Sequence, residues 1–275
     1  MSNGICIRHS RARLPSDVAR SVEEIRADRG SPGLSARQMD EYLDGLGALA
    51  EGCTEADVEE FFRGLVFPEL LDPTYGSLAG LGCADSALLP LHLVPDDPES
   101  RFVVSQPRPS LLYGFSKDPR DGAFTPAHVS IVESLHPRGA SPSPAFPFLA
   151  ILFKAVGGTQ GDLWVATDQC AGASAACLNA VDLLNKQLRD RGSEGVGSIC
   201  FSVAMDNNVA QLYVSWKEGD AKYWVQRVDD FLLSNPDHFT SLRSRVRNIL
   251  DWAKRTHLEK IRRALDVLEQ TGRHG

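Results

Sequence analysis

The feature that most restricts the fold is a row of small residues at the start of a long helical segment, residues 169–189. The first part of this segment consists of alanine, glycine and serine, whereas the second part carries larger apolar residues at helical spacing. Small side chains allow a helix to lie close to a neighbouring sheet. An apolar run at residues 148–155, typical of a buried strand, comes before it. Together they predict a protein in which helices pack on a sheet.

Other apolar runs predict further strands. We expect short strands at residues 102–104, 111–115, 163–166 and 222–227, and a hairpin of residues 196–204 and 210–216 that turns at residues 206–208. Three segments are expected to lie outside the sheet: the glycine- and proline-containing residues 66–94 and 137–147, and residues 228–233. The predicted fold class is therefore α/β (α+β), with a mixed central sheet flanked by helices.

Residues 1–100 are predicted to form a helical N-terminal region. Its three helices are expected at residues 16–29, from Ser35 onward, and from Thr54 onward, where Thr54 and Asp57 resemble a capping box. Two more amphipathic helices are expected at residues 125–135, with Thr125 as the N-cap, and at residues 239–270. We expect the N-terminal region to pack on a core of residues 101–275, in one compact unit.

Composition places the chain among ordinary globular proteins. No stretch approaches the roughly 18–20 consecutive apolar residues of a membrane span, and the N-terminus lacks the apolar core of a secretory signal. A cytoplasmic location and free thiols are therefore expected. The six cysteines form no CxxC pair, and no histidine lies at zinc-finger spacing from them, so a structural zinc site is not expected.

Charge is distributed unevenly along the chain. The formal net charge is −7, but residues 241–263 carry +6. A basic helix on an acidic body can hold a nucleic-acid backbone, and the residues predicted to do so are Arg243, Arg247, Lys254, Arg255 and Arg262. The alternative is a solvated helix stabilised by i,i+4 ion pairs, which would join Arg247 to Asp251 and Arg255 to Glu259.

The order of the elements resembles that of the PD-(D/E)xK nucleases. In that family an Asp on one strand, and an acid two residues before a Lys on the next strand, hold a divalent metal. The resemblance covers residues 101–275 and rests on four segments: PRPSLLYGF from Pro107, FPFLAILFKA from Phe146, GDLWVATDQCAGASAACLNAVDLLN from Gly161, and FSVAMDNNVAQLYVSW from Phe201. It implies a nuclease-like core built on a mixed sheet.

This chain lacks the metal-binding acids of that pattern. Ser110 stands in place of the strand Asp and Leu152 in place of the second acid, so that only Lys154 remains. An aliphatic side chain offers no oxygen to a dication, and no metal is expected at this place. A buried Lys154 must have a lowered pKa or contact an acid; otherwise its amine reaches solvent from the strand end. A nuclease would need relocated acids, for which the candidates are Glu133, Asp162 and Asp168; alternatively these are turn or surface residues.

By overall similarity, the chain also resembles the fungal arginine-containing cyclodipeptide synthases. The resemblance implies that it takes an arginyl-tRNA and a second aminoacyl-tRNA as partners and releases a cyclo-Arg-Xaa diketopiperazine without a cofactor. It leaves the second amino acid and the oligomeric state open. Two other functions are compatible with the sequence: a nuclease with relocated metal ligands, and a non-catalytic binding protein, for nucleic acid or protein, on a degenerate nuclease fold.

Aminoacyl transfer needs a base, a site for the tetrahedral oxyanion and, for arginine, an acid that binds the guanidinium. Asp168, Gln169 and Cys170 lie where the long helix is predicted to begin, and free N–H groups at a helix N-terminus can hold an oxyanion. Cys170 or Ser174 is the candidate nucleophile, and a helix N-terminus should lower the pKa of Cys170.

The candidate site residues fall into two groups. The predicted catalytic residues are Ser110, Lys154, Asp168, Cys170 and Ser174, of which Ser110 and Lys154 should line the former nuclease cleft. The predicted substrate-binding residues are Glu133, Asp162 and Gln169. Each has a structural alternative: Cys170, Cys177 and Ser174 suit close packing on a sheet, and Asp168 suits a helix N-cap.

Overall fold

The computed structural model describes residues 3–29, 34–68, 70, 78–97, 100, 103–136, 143–157 and 161–272. Its strands are β1 (Ile5–Arg8), β2 (Leu81–Asp85), β3 (Leu111–Phe115), β4 (Ala145–Phe153), β5 (Ile199–Met205), β6 (Val209–Glu218) and β7 (Lys222–Leu232). Its α-helices are α1 (Ser16–Arg26), α2 (Ala36–Ala50), α3 (Glu55–Val66), α4 (Pro126–Ser134), α5 (Leu163–Arg189), α6 (Pro236–Trp252) and α7 (Leu258–Gly272). Short 3-10 turns lie at Leu91–Leu93 and Pro119–Asp121.

All seven strands form one mixed sheet in the order β1-β7-β6-β5-β4-β3-β2. Strands β2, β3 and β4 pair antiparallel, as do β5, β6 and β7. The two antiparallel sets meet at β4 and β5, which run parallel and are connected through α5. The edge strand β1 pairs parallel with β7. The mixed sheet flanked by helices that the sequence predicts is therefore confirmed.

The two faces of the sheet differ in the size of their side chains. Leu149 and Phe201 belong to the larger core cluster, which they share with apolar residues of α1, α2, α3, α6 and α7. Ala150 and Cys200, their neighbours along the strands, face the other way and pack with the small residues of α5. This alternation is the two-residue period of a strand, and it places the small-residue part of α5 on the face where the sheet is also lined by small residues.

The N-terminal helices begin where their capping residues predict. Ser35 forms a capping box with Gln38 ahead of α2, and Thr54 forms one with Asp57 ahead of α3. Helix α2 is also tied to the core, because the buried Tyr42 donates a hydrogen bond of 2.7 Å to the carbonyl of Leu233. No helix in the described part of the chain is long and apolar enough to cross a bilayer. The six cysteines are free thiols, as expected.

The start of α5 differs from the prediction. Residues 163–166, expected as a strand, form its first turn, and the helix begins six residues before the predicted start at Gln169. The cause is Asp162, whose side chain accepts hydrogen bonds from the backbone N–H groups of Trp164 and Val165. The strand expected at residues 102–104 is also wrong where it is described, since residues 103 and 104 are not in a strand; residue 102 lies outside the described residues.

Two strands were missed, and β4 and β7 extend into segments expected to lie outside the sheet. Strand β1 has four residues and β2 lies in a glycine-rich segment, so neither has a strong local pattern; both gain their hydrogen bonds from distant partners. Strand β4 begins at Ala145 and contains Pro147, within a segment expected to be a loop; residues 137–142 of that segment lie outside the described residues. Strand β7 continues to Leu232, through residues expected to leave the sheet.

The predicted helix at residues 239–270 is interrupted by one π-helical turn, Ala253–His257, between α6 and α7. His257 is buried there and stacks on Trp252 with ring centroids 5.2 Å apart. Phe115 and Phe148 surround the same ring. Burial, followed by the charge of Lys260, lowers the pKa of His257 to about 4 from its ordinary 6.5. The folded protein therefore holds a neutral imidazole in an aromatic environment.

A titration should reveal this imidazole. Because its pKa is lower in the folded protein than in the unfolded chain, the neutral form stabilises the fold above pH 6.5, and this contribution is lost as the pH falls toward 4. Replacement His257→Leu should reduce the acid-induced fall in the free energy of unfolding by up to about 3 kcal/mol. Urea denaturation between pH 7 and pH 4.5 measures it. Equal pH slopes for wild type and variant, with the exposed His9→Gln as control, would contradict the assignment.

Candidate ligand-binding cleft

A cleft of about 690 Å³ opens where β4 ends and α5 begins. Its floor is formed by Ile5 of β1 and Leu152 of β4, one wall by Trp164, Val165 and Gly172 of α5, and the opposite wall by residues 103–108. Ligands of open α/β sheets bind at the carboxyl ends of parallel strands, which is where β4 and β5 end. The volume lies within the range of about 300–1,000 Å³ typical of small-molecule sites.

The wall of residues 103–108 is held close to α5. A Cβ atom at Gly172 would lie 3.3 Å from Cγ1 of Val104, so that glycine at this position lets the segment lie directly on the helix. From the other side, Gln106 donates a hydrogen bond of 2.8 Å to the carbonyl of Leu89, and Arg108 donates one of 2.8 Å to that of Ser86. The wall is therefore held in place by hydrogen bonds to backbone carbonyls of residues that do not line the cleft.

Apolar side chains are exposed at the mouth of the cleft. The side chain of Trp164 has 69% of its surface exposed and that of Val103 has 92%. Both residues line the cleft. Large exposed apolar residues at a concave site are typical of a surface that contacts a ligand.

Asp168 is the acidic residue of the cleft. It lies in the second turn of α5, is half-buried, and desolvation raises its pKa above the ordinary value of 3.8. Gln169 lines the cleft beside it. A carboxylate whose charge is poorly solvated is suited to accept a proton or to pair with a cationic ligand. Of the predicted site residues, Asp168 and Gln169 are the two that line this cleft, with Leu152 on its floor.

Asp162 takes the N-cap role that was considered for Asp168. Because its side chain occupies N–H groups of the first turn, the helix N-terminus lies at residues 162–165 and not at Asp168 to Cys170. The free helix N–H groups expected beside Asp168 for an oxyanion are therefore not there. Besides Asp168, the polar side chains that line the cleft are those of Ser105, Gln106, Arg108 and Gln169.

The expected lowering of the Cys170 pKa is wrong. Cys170 lies in the interior of α5, has no exposed surface, and burial raises the pKa of its thiol far above the ordinary value. Ser174, one turn further on, is equally buried, and its hydroxyl has no hydrogen-bond partner among the described residues. The side chains of Cys170, Ser174 and Cys177 all pack toward the sheet, which agrees with the alternative that these residues serve close packing.

Lys154 lies directly after β4 and contacts an acid, as one of the alternatives required. Its Nζ atom is 2.8 Å from Oε2 of Glu55, at the start of α3, and only 5% of its side chain is exposed. The pair therefore joins α3 to the end of β4. Ser110 is also buried, and its hydroxyl accepts a long hydrogen bond of 3.4 Å from the backbone N–H of Phe153. The structure thus places Lys154 against α3, whereas Leu152 lies on the floor of the cleft.

Glu55 is the residue that sequence reasoning missed. It is 99 positions from Lys154 in the chain, and its place in the first turn of α3 suggests only a favourable helix-dipole position. The requirement that a buried lysine needs an acid could have prompted a search for one, but no local pattern selects Glu55 among the 36 acidic residues.

Glu133 and the basic residues lie away from the cleft. Glu133 is exposed on α4, and the basic residues belong to α6, α7 and the turn between them, which pack on the opposite side of the sheet from the start of α5. Arg262 donates to the carbonyls of Gly122 and Ala123 and so ties α7 to the segment before α4. Asp251 was expected to pair with Arg247, and Glu259 with Arg255. In the structure, Asp251 forms an ion pair with Arg29, and Glu259 forms one with Arg263.

The fold and the cleft define a class: a mixed α/β protein with a concave site at the carboxyl end of its central parallel strands. The chain matches the family described as "Domain of unknown function (DUF7924)" over residues 48–265 and belongs to it. The match covers the whole sheet except β1, and therefore includes α5 and the ion pair of Glu55 and Lys154. No curated protein matches the chain.

Removing the carboxylate from the buried ion pair should destabilise the fold. Replacement Glu55→Gln leaves the ammonium of Lys154 buried without its counter-charge and should lower the free energy of unfolding by roughly 2–4 kcal/mol. The exposed Glu60→Gln, in the same helix, should change it by less than about 0.5 kcal/mol. Adding Lys154→Met to Glu55→Gln should recover part of the loss. Urea denaturation measures all four proteins; equal stability of Glu55→Gln and wild type would refute the pair.

Removing the charge of Asp168 should have the opposite effect. Because desolvation raises its pKa, the ionised carboxylate destabilises the folded protein at neutral pH, and this cost disappears as the group is protonated. Asp168→Asn should therefore raise the melting temperature at pH 7, by a margin that shrinks as the pH is lowered toward 4. Differential scanning calorimetry tests this, with the exposed Glu194→Gln as control. A variant less stable than wild type at pH 7 would show that the carboxylate has a structural role.

Proposed function

We propose that the chain is an aminoacyl-tRNA-dependent transferase that forms a cyclic dipeptide containing arginine, and that the reaction takes place in the cleft beside α5. The observation that carries the proposal is the half-buried carboxylate of Asp168 between apolar walls. An arginine side chain has the matching chemistry, since a guanidinium pairs with a carboxylate and its three methylene groups pack on apolar surface. The cytoplasm, where charged tRNA is found, is the corresponding location.

The dimensions and lining of the cleft support this assignment. Leu152 and Val165 offer apolar contacts next to Asp168, and the exposed indole of Trp164 offers a flat surface at the mouth, where the terminal adenosine of a tRNA can stack. A diketopiperazine with two side chains is a small molecule, for which a cleft of about 690 Å³ provides sufficient room.

The reaction needs no metal, because both amino acids arrive as activated esters. The amine of one aminoacyl group attacks the ester carbonyl of the other, the bond to the ribose oxygen breaks, and a dipeptidyl-tRNA and a free tRNA result. The amine of the dipeptide then attacks its own ester, which closes the ring and releases the second tRNA. In each step one proton leaves the amine and one reaches the ribose oxygen, and a carboxylate beside the amine can transfer it.

We favour direct attack over an aminoacyl-enzyme intermediate. Cys170 and Ser174, the predicted nucleophiles, have no exposed surface, and burial raises the pKa of the Cys170 thiol. A thiol that is both inaccessible and protonated is a poor nucleophile. Asp168 then acts as the guanidinium-binding acid or as the base, and Gln169 supplies a donor to the ester oxygen. Lys154 and Ser110 maintain the end of β4 rather than contact the substrate.

The basic residues are proposed to bind tRNA outside its acceptor end. They lie on the opposite side of the sheet from the cleft, so they hold phosphates of the tRNA body while the acceptor end reaches Trp164. Arg262, which is bound to the carbonyls of Gly122 and Ala123, positions α7 for this surface. The other basic residues predicted to contact phosphates are Arg243, Arg247, Lys254 and Arg255.

The nuclease-like core remains part of the proposal. It is supported by the order of the elements, which is three antiparallel strands, a crossover helix and a parallel strand. A lysine lies directly after the third strand. A nuclease with relocated ligands is supported less well. Glu133, Asp162 and Asp168 belong to no group of three metal-ligating side chains within the described residues. A non-catalytic binding protein would share the basic surface but would not need a desolvated carboxylate.

The test is production of the cyclic dipeptide. Expression in a bacterial host should yield an arginine-containing diketopiperazine, detected by mass spectrometry of the culture extract, and the purified protein should form it from pre-charged tRNA without added Mg²⁺. Asp168→Asn should lower the rate by at least about tenfold, although this variant is expected to fold at least as well as wild type. Glu194→Gln should retain full activity.

Three outcomes would overturn the proposal. The first is the absence of any cyclo-Arg product from soluble wild-type protein, and the second is full activity of Asp168→Asn. The third is degradation of DNA by the purified protein that stops in EDTA, which would favour the nuclease. Salt-sensitive tRNA binding without product formation falls under the first outcome and would favour the binding protein.

A further inference from the structure

We propose that His128, Asp266 and Glu269 form a binding site for one zinc ion that joins α4 to α7. The three residues lie on the far side of the molecule from the start of α5, and the inference does not depend on the proposed transferase activity. Within the described residues, they form the group of His, Cys, Asp and Glu side chains whose potential ligand atoms all lie within 4.8 Å of one another.

The geometry of the cluster suits a small cation. The Nε2 atom of His128 is 2.9 Å from Oδ1 of Asp266 and 3.7 Å from Oε2 of Glu269. Ligand atoms around a tetrahedral zinc ion, with bonds of about 2.0–2.1 Å, are about 3.3 Å apart. The two measured distances lie on either side of this value, so changes of a few tenths of an ångström at each side chain bring all three atoms to zinc-binding positions.

The backbone holds the ligands in place. Asp266 and Glu269 are three positions apart on α7, which puts both carboxylates on the same face of the helix. His128 reaches them from α4, and only 5% of its side chain is exposed. Its Nδ1 atom is buried without a hydrogen-bond partner among the described residues, so Nε2 is the ring nitrogen that faces the carboxylates.

A hydrogen bond alone does not use the whole cluster. The Nε2 atom carries at most one proton, which it can share with Asp266 at 2.9 Å, whereas the 3.7 Å separation from Glu269 is too long for a hydrogen bond. A divalent cation would bind the imidazole and both carboxylates at once. The side chain of Asp266 is 54% exposed, which gives a cation a path from solvent and leaves room for a water ligand.

The ligand set favours zinc over the common hard cations. Imidazole nitrogen binds Zn²⁺ well, whereas Mg²⁺ prefers oxygen ligands and retains its water molecules. A site of this kind would couple metal binding to the packing of α4 on α7, since each helix contributes ligands. Zinc would then stabilise the fold at the C-terminal helix, rather than take part in chemistry at the cleft.

Calorimetric titration of the metal-free protein with ZnCl₂ tests the site. Wild type should bind one zinc ion per chain and show a higher melting temperature with zinc, and an excess of Mg²⁺ should leave this binding unchanged. Asp266→Asn and Glu269→Gln should each weaken binding by about tenfold or more. These side chains are partly exposed, so both variants should fold. The control is Glu259→Gln, an acid-to-amide change on the same helix that should bind zinc as wild type does.

Cobalt distinguishes this cluster from the free thiols. With Co²⁺ in place of zinc, nitrogen and oxygen ligands should give visible d–d bands without a sulfur-to-cobalt charge-transfer band. A strong charge-transfer band would assign the ion to cysteines and overturn the proposal. So would wild-type zinc affinity in both Asp266→Asn and Glu269→Gln, or wild-type protein that binds no zinc, because the cluster would then be a histidine–carboxylate contact between two helices.

Discussion

The close packing of α5 on the sheet is the interaction on which the rest of the structure depends. Two adjacent parallel strands require a crossover connection, and α5 provides it between β4 and β5. The helix presents small residues such as Ala173 and Ala176 to a face of the sheet lined by Ala150, Cys200 and Ala204. Since these facing side chains are small, little conformational entropy is lost where they pack, and the helix approaches β4 and β5 closely. The cleft lies at the start of this helix, beside residues 103–108.

The ion pair of Lys154 and Glu55 explains why the N-terminal residues belong to the same unit as the core. A buried ammonium needs a counter-charge, and the chain supplies it from α3 rather than from the sheet. The strands β1 and β2 strengthen the connection, because they form both edges of the sheet. Lys154 thus holds an N-terminal helix in place. Leu152, two residues earlier, lines the cleft beside α5.

Sequence patterns predicted the elements with strong local signals. The start of α2 at Ser35, the capping box of α3, the strands β3 and β5, and the hairpin turn at Asp206 depend on neighbouring residues and were found. The strands β1 and β2 depend on partners far along the chain, and β4 takes in Pro147, which local rules assign to a loop. The same distinction applies to the site. Asp168 was found from its position beside a helix. Ile5 and residues 103–108, which also line the cleft, are distant in the sequence and are brought to it only by the fold.

The largest consequence for function follows from the six-residue difference in the start of α5. With a helix beginning at Gln169, Cys170 would lie in the first turn, where the helix dipole lowers the pKa of a thiol. Because Asp162 caps the helix instead, Cys170 lies in its interior and faces the sheet, where desolvation acts on the thiol in the opposite direction. The same difference moves Asp168 from a capping position, where its charge would be satisfied by backbone N–H groups, to the wall of the cleft, where its charge is available to a ligand. The N-cap at Asp162 therefore determines both that the Cys170 thiol is buried in the helix interior and that Asp168, six residues further on, lines the cleft.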